Sequence, residues 1–206
     1  HASRKIADIE KRIGGRIGVF AIDTETLTSI AYRHGERFAM ASTFKWLLAA
    51  AALKQAESGT LKLDNMHVVF RQKDLLDYAP ATRAAFEAST QTLAGERIAS
   101  MTLAELCAAA VSISDNTAAN LLLSHLGGPE GLTKFLRASG DRETRLDRRE
   151  PELNENRKND PRDTTTPMAM ALTAERLLVR GGLSKPSQKK LHGWLIAATP
   201  GLDRLR

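Results

Sequence analysis

The stretch M-A-S-T-F-K-W-L-L-A-A-A-A-L, residues 40–53, puts a serine one turn ahead of a lysine at the mouth of a nearly all-apolar segment. A run of this length and hydropathy predicts a buried helix over residues 42–57, stopped by Ser58-Gly59-Thr60. Two readings of Ser42 and Lys45 follow. Ser42 caps the helix while Lys45 snorkels to the surface, the reading that S-x-x-K spacing taken alone favours. Alternatively, the pair is chemical. Free N–H groups and the dipole at a helix start favour an oxyanion there. A lysine beside Phe44, Trp46 and Leu47 would be desolvated, with a pKa low enough to act as a base.

Flanking segments supply the rest of a compact fold. Residues 3–14 carry Ile6, Ile9 and Ile13 at helical spacing and end at Gly14-Gly15. R-I-G-V-F-A-I-D and L-T-S-I-A-Y-R then read as a hairpin around D-T-E-T. A short helix is expected near 81–89 within a weakly periodic Ala/Thr/Ser-rich segment. Thr102 and Glu105 form a capping box for a helix to about 111. Further helices are expected at 117–126, from Pro129 to Gly140, at 167–180 and at 185–197. Residues 141–166 are dense in charge, Asn and Pro, and long loops of this kind are usually functional.

Size and composition narrow the classes. A chain of 206 residues, 42% hydrophobic and 26% charged, can bury one core or two joined lobes. The net charge of +6 is spread among acids, as in D-R-E-T-R-L-D-R-R-E, which predicts a solvated mixed surface and no nucleic-acid partner. No apolar run approaches the length of a bilayer span, so no membrane partner is expected. The five histidines lack metal-ligand spacing, and neither a metal nor a cofactor is expected. The single cysteine, Cys107, lies in an apolar run and reads as packing.

Two more groups complete the candidate site. In Ser114-Asp115-Asn116, Ser114 is placed to pass a proton and Asn116 to orient a carbonyl, while Asp115 caps the helix that follows. In R-R-E-P-E-L-N, residues 148–154, Glu150 and Asn154 can hold one water between an acceptor and a donor. The competing reading of that segment is a solvated charge run. An ion pair between Arg148 and Asp163 would pinch the loop at its neck.

S-T-F-K at 42–45, S-D-N at 114–116 and E-P-E-L-N at 150–154, in this order, resemble a class A serine β-lactamase. The resemblance extends from about residue 16 to 206 through R-F-A-M-A-S-T-F-K, S-D-N-T-A-A-N-L-L-L and N-D-P-R-D-T-T-T-P. It implies an α/β two-lobe fold: an all-α lobe beside an antiparallel sheet flanked by helices. On that basis residues 1–34 and 181–206 belong to the α/β lobe, and 35–180, with the loop 145–163, to the helical one. It also implies roles. Ser42 attacks a β-lactam carbonyl, Lys45 supports proton removal with either Lys45 or Glu150 as the acylation base, Ser114 relays a proton to the lactam nitrogen, and Glu150 with Asn154 activates the deacylating water. Asn116 binds the substrate's side-chain amide, Tyr78 walls the entrance, and Asn120 supports the loop. The Glu150–Pro151 bond is expected to be cis, and the location periplasmic or secreted.

The sequence departs from the family pattern in three places. No K-T-G follows the long loop, so the last strands are expected from elsewhere, including a complementary C-terminal chain of the same protein. The stretch between Pro80 and Met101 is long. Cys107 has no partner, Ala49 standing where some relatives place one, and Ala41 also speaks against the disulfide-containing carbapenemase type. Two alternatives remain at this point: a penicillin-binding D,D-peptidase, against which E-P-E-L-N argues, and a non-catalytic fragment.

Overall fold

The computed structural model describes residues 2–200. Residues 201–206, the end of the 181–206 segment assigned to the α/β lobe, lie outside the described residues. Helix α1 (Ala2–Ile13) lies on a hairpin of β1 (Val19–Ile22) and β2 (Ser29–Tyr32), paired from Val19↔Tyr32 to Ile22↔Ser29. The turn is held by Asp23, whose Oδ1 accepts from the N–H groups of Glu25 and Thr26. Glu10 joins helix to hairpin: its carboxylate takes Tyr32 Oη at 2.7 Å and Arg33 Nε at 2.9 Å. None of α1 is buried, and Ile9 and Ile13 are exposed.

The buried segment opened by Ser42 is the axis of the second lobe. It starts as a 3-10 turn, Ala41–Thr43, and continues as α2 (Phe44–Glu57). Every residue from Leu47 to Leu53 is buried. This follows from the sequence: an apolar helix without a polar face has no side to present to water. Around it stand α4 (Leu103–Ser112), α5 (Asn116–His125), α6 (Gly128–Ala138) and α8 (Lys185–Ile196), while α7 (Pro167–Leu178) packs on β1 and α8. One core joins them, with Leu47, Leu106, Leu122, Leu132 and Leu191 at its centre. Cys107 is part of it, and burial pushes its thiol pKa up to about 12. Among the described residues no helix is long and apolar enough to cross a membrane.

The helical lobe also carries a three-stranded sheet that the sequence reading leaves out. β4 (His67–Arg71) pairs antiparallel with β6 (Glu96–Thr102), which pairs with β5 (Thr92–Leu93). The long stretch after Pro80 is thus helix α3 (Pro80–Ala88) followed by a hairpin. Its loop is the two residues Ala94 and Gly95, with φ of 52° and 81°, a pair of left-handed residues that matches the twist of the strands. A second, smaller core of Phe70, Phe86 and Ala99 lies between hairpin and α3.

The loop 141–166 is ordered by its own side chains. Asp141, 2% exposed, accepts from the backbone N–H groups of Glu143 and Thr144 and from the hydroxyls of Thr144 and Thr173. A 3-10 turn spans Glu152–Asn154, and β7 (Thr164–Thr165) pairs with β3 (Phe38–Ala39) just before Ser42. That pairing fixes the far end of the loop beside the start of α2.

Candidate active site

Ser42 does not cap a helix. The residue before it, Ala41, has φ of 44°, and Thr43 occupies the N-cap of α2 with no side-chain capping bond. The Ser42 hydroxyl is therefore free of capping and faces Lys45 Nζ at 3.1 Å. Lys45 does not snorkel either: it is 2% exposed.

Five oxygens surround the Lys45 amine: Asn116 Oδ1 at 2.6 Å, the Ser114 carbonyl at 2.8 Å, Ser114 Oγ at 3.0 Å, Ser42 Oγ and Glu150 Oε1 at 3.1 Å each. An ammonium has three N–H donors, so these contacts compete for protons. Burial pushes the Lys45 pKa below its ordinary value, and the Glu150 carboxylate opposes that shift. The amine thereby connects two hydroxyls and a carboxylate drawn from three segments of the chain.

The segment holding Ser114 is built by Asp115. This residue is fully buried and caps α5 by accepting from Ala118 N at 2.8 Å. The same carboxylate accepts from Ala81 N and Thr82 N, and from Thr82 Oγ1, at the start of α3. One side chain thus terminates two helices, satisfying donors that each would otherwise leave unpaired. Ser114 itself has φ of 59°. Asn116 donates from Nδ2 to the Asp77 carbonyl and from its backbone N–H to the Tyr78 carbonyl, so its amide is already engaged on the protein. Tyr78 is 61% exposed, with φ of 56°. Thr117 braces the same strap: its hydroxyl accepts from Leu76 N at 2.8 Å and donates to the Asp74 carbonyl at 3.2 Å.

Glu150 is 2% exposed. Asn120, on α5, holds its backbone from both sides, accepting from Glu150 N at 3.0 Å and donating to Glu150 O at 2.8 Å. The Glu150–Pro151 bond is cis. Glu150 Oε2 accepts from Asn154 Nδ2 at 2.6 Å, whereas Oε1, beside Lys45, accepts no directed hydrogen bond. At the neck of the loop Asp163 accepts from Asp147 N and Arg148 N through Oδ1, and from Arg148 Nε through Oδ2 at 2.6 Å. The other side of Arg148 meets Glu155 Oε2 at 2.6 Å.

All ten sequence-selected residues fall into one connected region. Ser42, Lys45, Ser114, Asn116 and Glu150 meet at the amine, Asn154 touches Glu150, Asn120 and the Arg148–Asp163 pair hold the loop, and Tyr78 accepts from Asn116. Four residues of the region, Ala41, Tyr78, Ser114 and Asp163, have left-handed backbones without being glycine. Such conformations cost energy and concentrate where side-chain placement matters. Sequence reading missed Thr82 and Thr117, and saw Asp115 only as the cap of α5. The signal for Thr117 is a threonine just after an N-cap, too common to single out.

A family model described as the beta-lactamase enzyme family matches residues 1–200. The chain belongs to that family. Among curated relatives, beta-lactamase L2 of Stenotrophomonas maltophilia is 47% identical over 205 residues, covering 100% of this chain and 64% of the relative. Beta-lactamase CTX-M-8 of Citrobacter amalonaticus is 46% identical over 198 residues, 96% of this chain and 64% of the relative. A solved ancestral class A beta-lactamase (GNCA) superposes with a TM-score of 0.90 at 51% identity, covering 98% of this chain and 73% of that one. These relatives place the chain in class A of the beta-lactamases. The chain spans 62–64% of the length of the first curated relatives it matches.

Proposed function

We propose that this chain carries the nucleophile, the proton-transfer groups and the water-activating acid of a serine beta-lactamase, which opens the amide of penicillin- and cephalosporin-type antibiotics. One observation supports the reading above all: Lys45 Nζ lies within 3.1 Å of Ser42 Oγ, Ser114 Oγ and Glu150 Oε1 at once. A lysine with its pKa lowered by burial accepts the Ser42 proton as the oxygen attacks the lactam carbonyl. The ring C–N bond then breaks, Ser114 delivers its proton to the departing nitrogen, and Lys45 returns to Ser114 the proton it took from Ser42. The product of this half is an ester on Ser42.

Hydrolysis of that ester needs a water with a base. Glu150 Oε1 lies 3.1 Å from the Lys45 amine, and Asn154 holds the other oxygen. The same amine touches Ser42 Oγ, so the carboxylate can take a proton from a water beside the ester. That water loses a proton to Glu150 and attacks the ester carbonyl; the ester C–O bond to Ser42 breaks, the proton returns to Ser42 Oγ, and a ring-opened acid leaves. Asn116 would offer its remaining N–H to a substrate side-chain amide, and Tyr78 would wall the entrance. Asn120, Arg148 and Asp163 hold Glu150 in place rather than touching substrate.

The relatives' greater length bears on the sheet. A two-stranded hairpin is marginal in water. Beside β1 runs an apolar groove of about 650 Å³, lined by Phe20, Phe38, Trp46, Met170, Leu178 and Leu195. In this reading further strands of the beta-lactamase, in the same or a complementary C-terminal chain, cover it and complete an α/β lobe that begins with α1 and the β1–β2 hairpin. The helices around α2, α8 among them, form the helical lobe. The proposed setting is the periplasm or the medium, where such an enzyme confers antibiotic resistance.

Nitrocefin turnover by the chain, with and without a complementary C-terminal segment, tests the activity. With Glu150→Ala, acylation persists while deacylation collapses, and mass spectrometry finds the acyl adduct. Undiminished turnover by that variant would remove Glu150 from the chemistry.

A further inference from the structure

A cleft of about 500 Å³ lies outside the Lys45 region, between β4, α3 and the β5–β6 hairpin. It is lined by Arg71, Gln72, Lys73, Phe86, Glu96 and Arg97: three cations against one acid. Each guanidinium has one neighbour of its own. The Arg97 guanidinium sits 5.9 Å from the centroid of the Phe86 ring, which is itself buried. Arg71 Nε is shielded from solvent and lies 3.0 Å from Glu96 Oε2 without a directed hydrogen bond. Glu96 is mostly exposed, and an incoming anion can displace it.

We propose that this cleft binds a small organic dianion, specifically a phosphate monoester. Guanidinium groups recognise phosphate oxygens through paired N–H donors, and holding them in place beforehand lowers the entropy lost on binding. Lys73 supplies a third charge and Gln72 a neutral amide donor. The cleft exceeds the size of a bare phosphate, so the ester's organic part has room beside the edge of Phe86. Glu96 is the competitor already in place.

The test uses phenyl phosphate, titrated into the intact chain by calorimetry and by amide chemical shifts, with inorganic phosphate and acetate as reference anions at constant ionic strength. Phenyl phosphate shifts the amides of residues 71–73, 86 and 96–97 and binds more tightly than acetate. Combined Lys73→Glu and Arg97→Glu weakens it at least about tenfold, the scale of a lost charge-assisted bond. Glu96→Gln removes the competitor and tightens binding several-fold. All these side chains lie at the rim, and far-UV circular dichroism verifies that the variants fold. Absence of phenyl phosphate binding at millimolar concentration, affinity equal to that of acetate, an unchanged double variant, or weaker binding by Glu96→Gln would each overturn the assignment.

Discussion

Replacing Asn120 by alanine removes both hydrogen bonds that hold the Glu150 backbone, the 3.0 Å bond from its N–H and the 2.8 Å bond to its carbonyl. Each bond contributes about 1 kcal/mol net, rising to about 2 kcal/mol where the group left unpaired stays out of water. Glu150 is 2% exposed, so water replaces the partners poorly. The expected loss of stability is about 2–4 kcal/mol, or a fall in Tm of roughly 5–15 °C for a chain of this size. Asn120→Asp keeps an acceptor for the Glu150 N–H but loses the donor, so its loss is intermediate. If Glu150 activates the deacylating water, a displacement near 1 Å slows that step about a hundredfold while acylation continues. Burst kinetics with nitrocefin, mass spectrometry of the acyl adduct and hydrogen exchange across 145–163 read the two effects separately. Alanine variants of unchanged stability, loop protection and adduct lifetime would refute the idea that α5 positions the loop acid.

Other perturbations test the surrounding structure. Asp115→Ala uncaps α5 and α3 together and leaves several buried donors unpaired, a loss of about 3–5 kcal/mol in urea unfolding, larger than the roughly 1 kcal/mol typical of one cap. The Lys45 pKa is lowered on folding, so the unfolded chain binds more protons between the folded value and the ordinary value near about 10.4. This group's unfavourable contribution is therefore complete at lower pH and fades as pH rises through that window. Relative to Lys45→Met, the parent gains stability as pH rises toward 10.5, and a flat difference would contradict it. Ala94→Asn, in a turn position that favours asparagine, raises stability by about 0.5 kcal/mol in thermal unfolding.

Much of the architecture was legible because single residues announce it. Thr102 and Glu105 form the capping box, with Glu105 N donating to Thr102 Oγ1 at 3.1 Å. Pro80, Pro129 and Pro167 stand in first turns, and the apolar run after Phe44 is buried. The strand pair 67–71 and 96–102 was harder to see. H-V-V-F-R is short, and its partner lies across a helix in sequence, so only tertiary pairing reveals it. The start of α2 misled in detail: a helix from residue 42 is the simplest extension of the apolar pattern. The left-handed Ala41 and the 3-10 turn that free the Ser42 hydroxyl leave no trace in periodicity. The motifs at 42, 114 and 150 were visible through their resemblance to a family. That one amine touches all three could not be read from spacing, because 69 residues separate Lys45 from Ser114.

The hairpin at Thr92–Thr102 hangs from two moorings. On one side α3 is fastened by Asp115, and on the other β6 is zipped along β4 from Ile98 to Thr102. Residues spliced between Ala94 and Gly95 would lengthen only the free tip and leave both moorings in register. That tip is a graft point: a reporter or affinity tag carried there would ride on the helical lobe without pulling on the serine at 114.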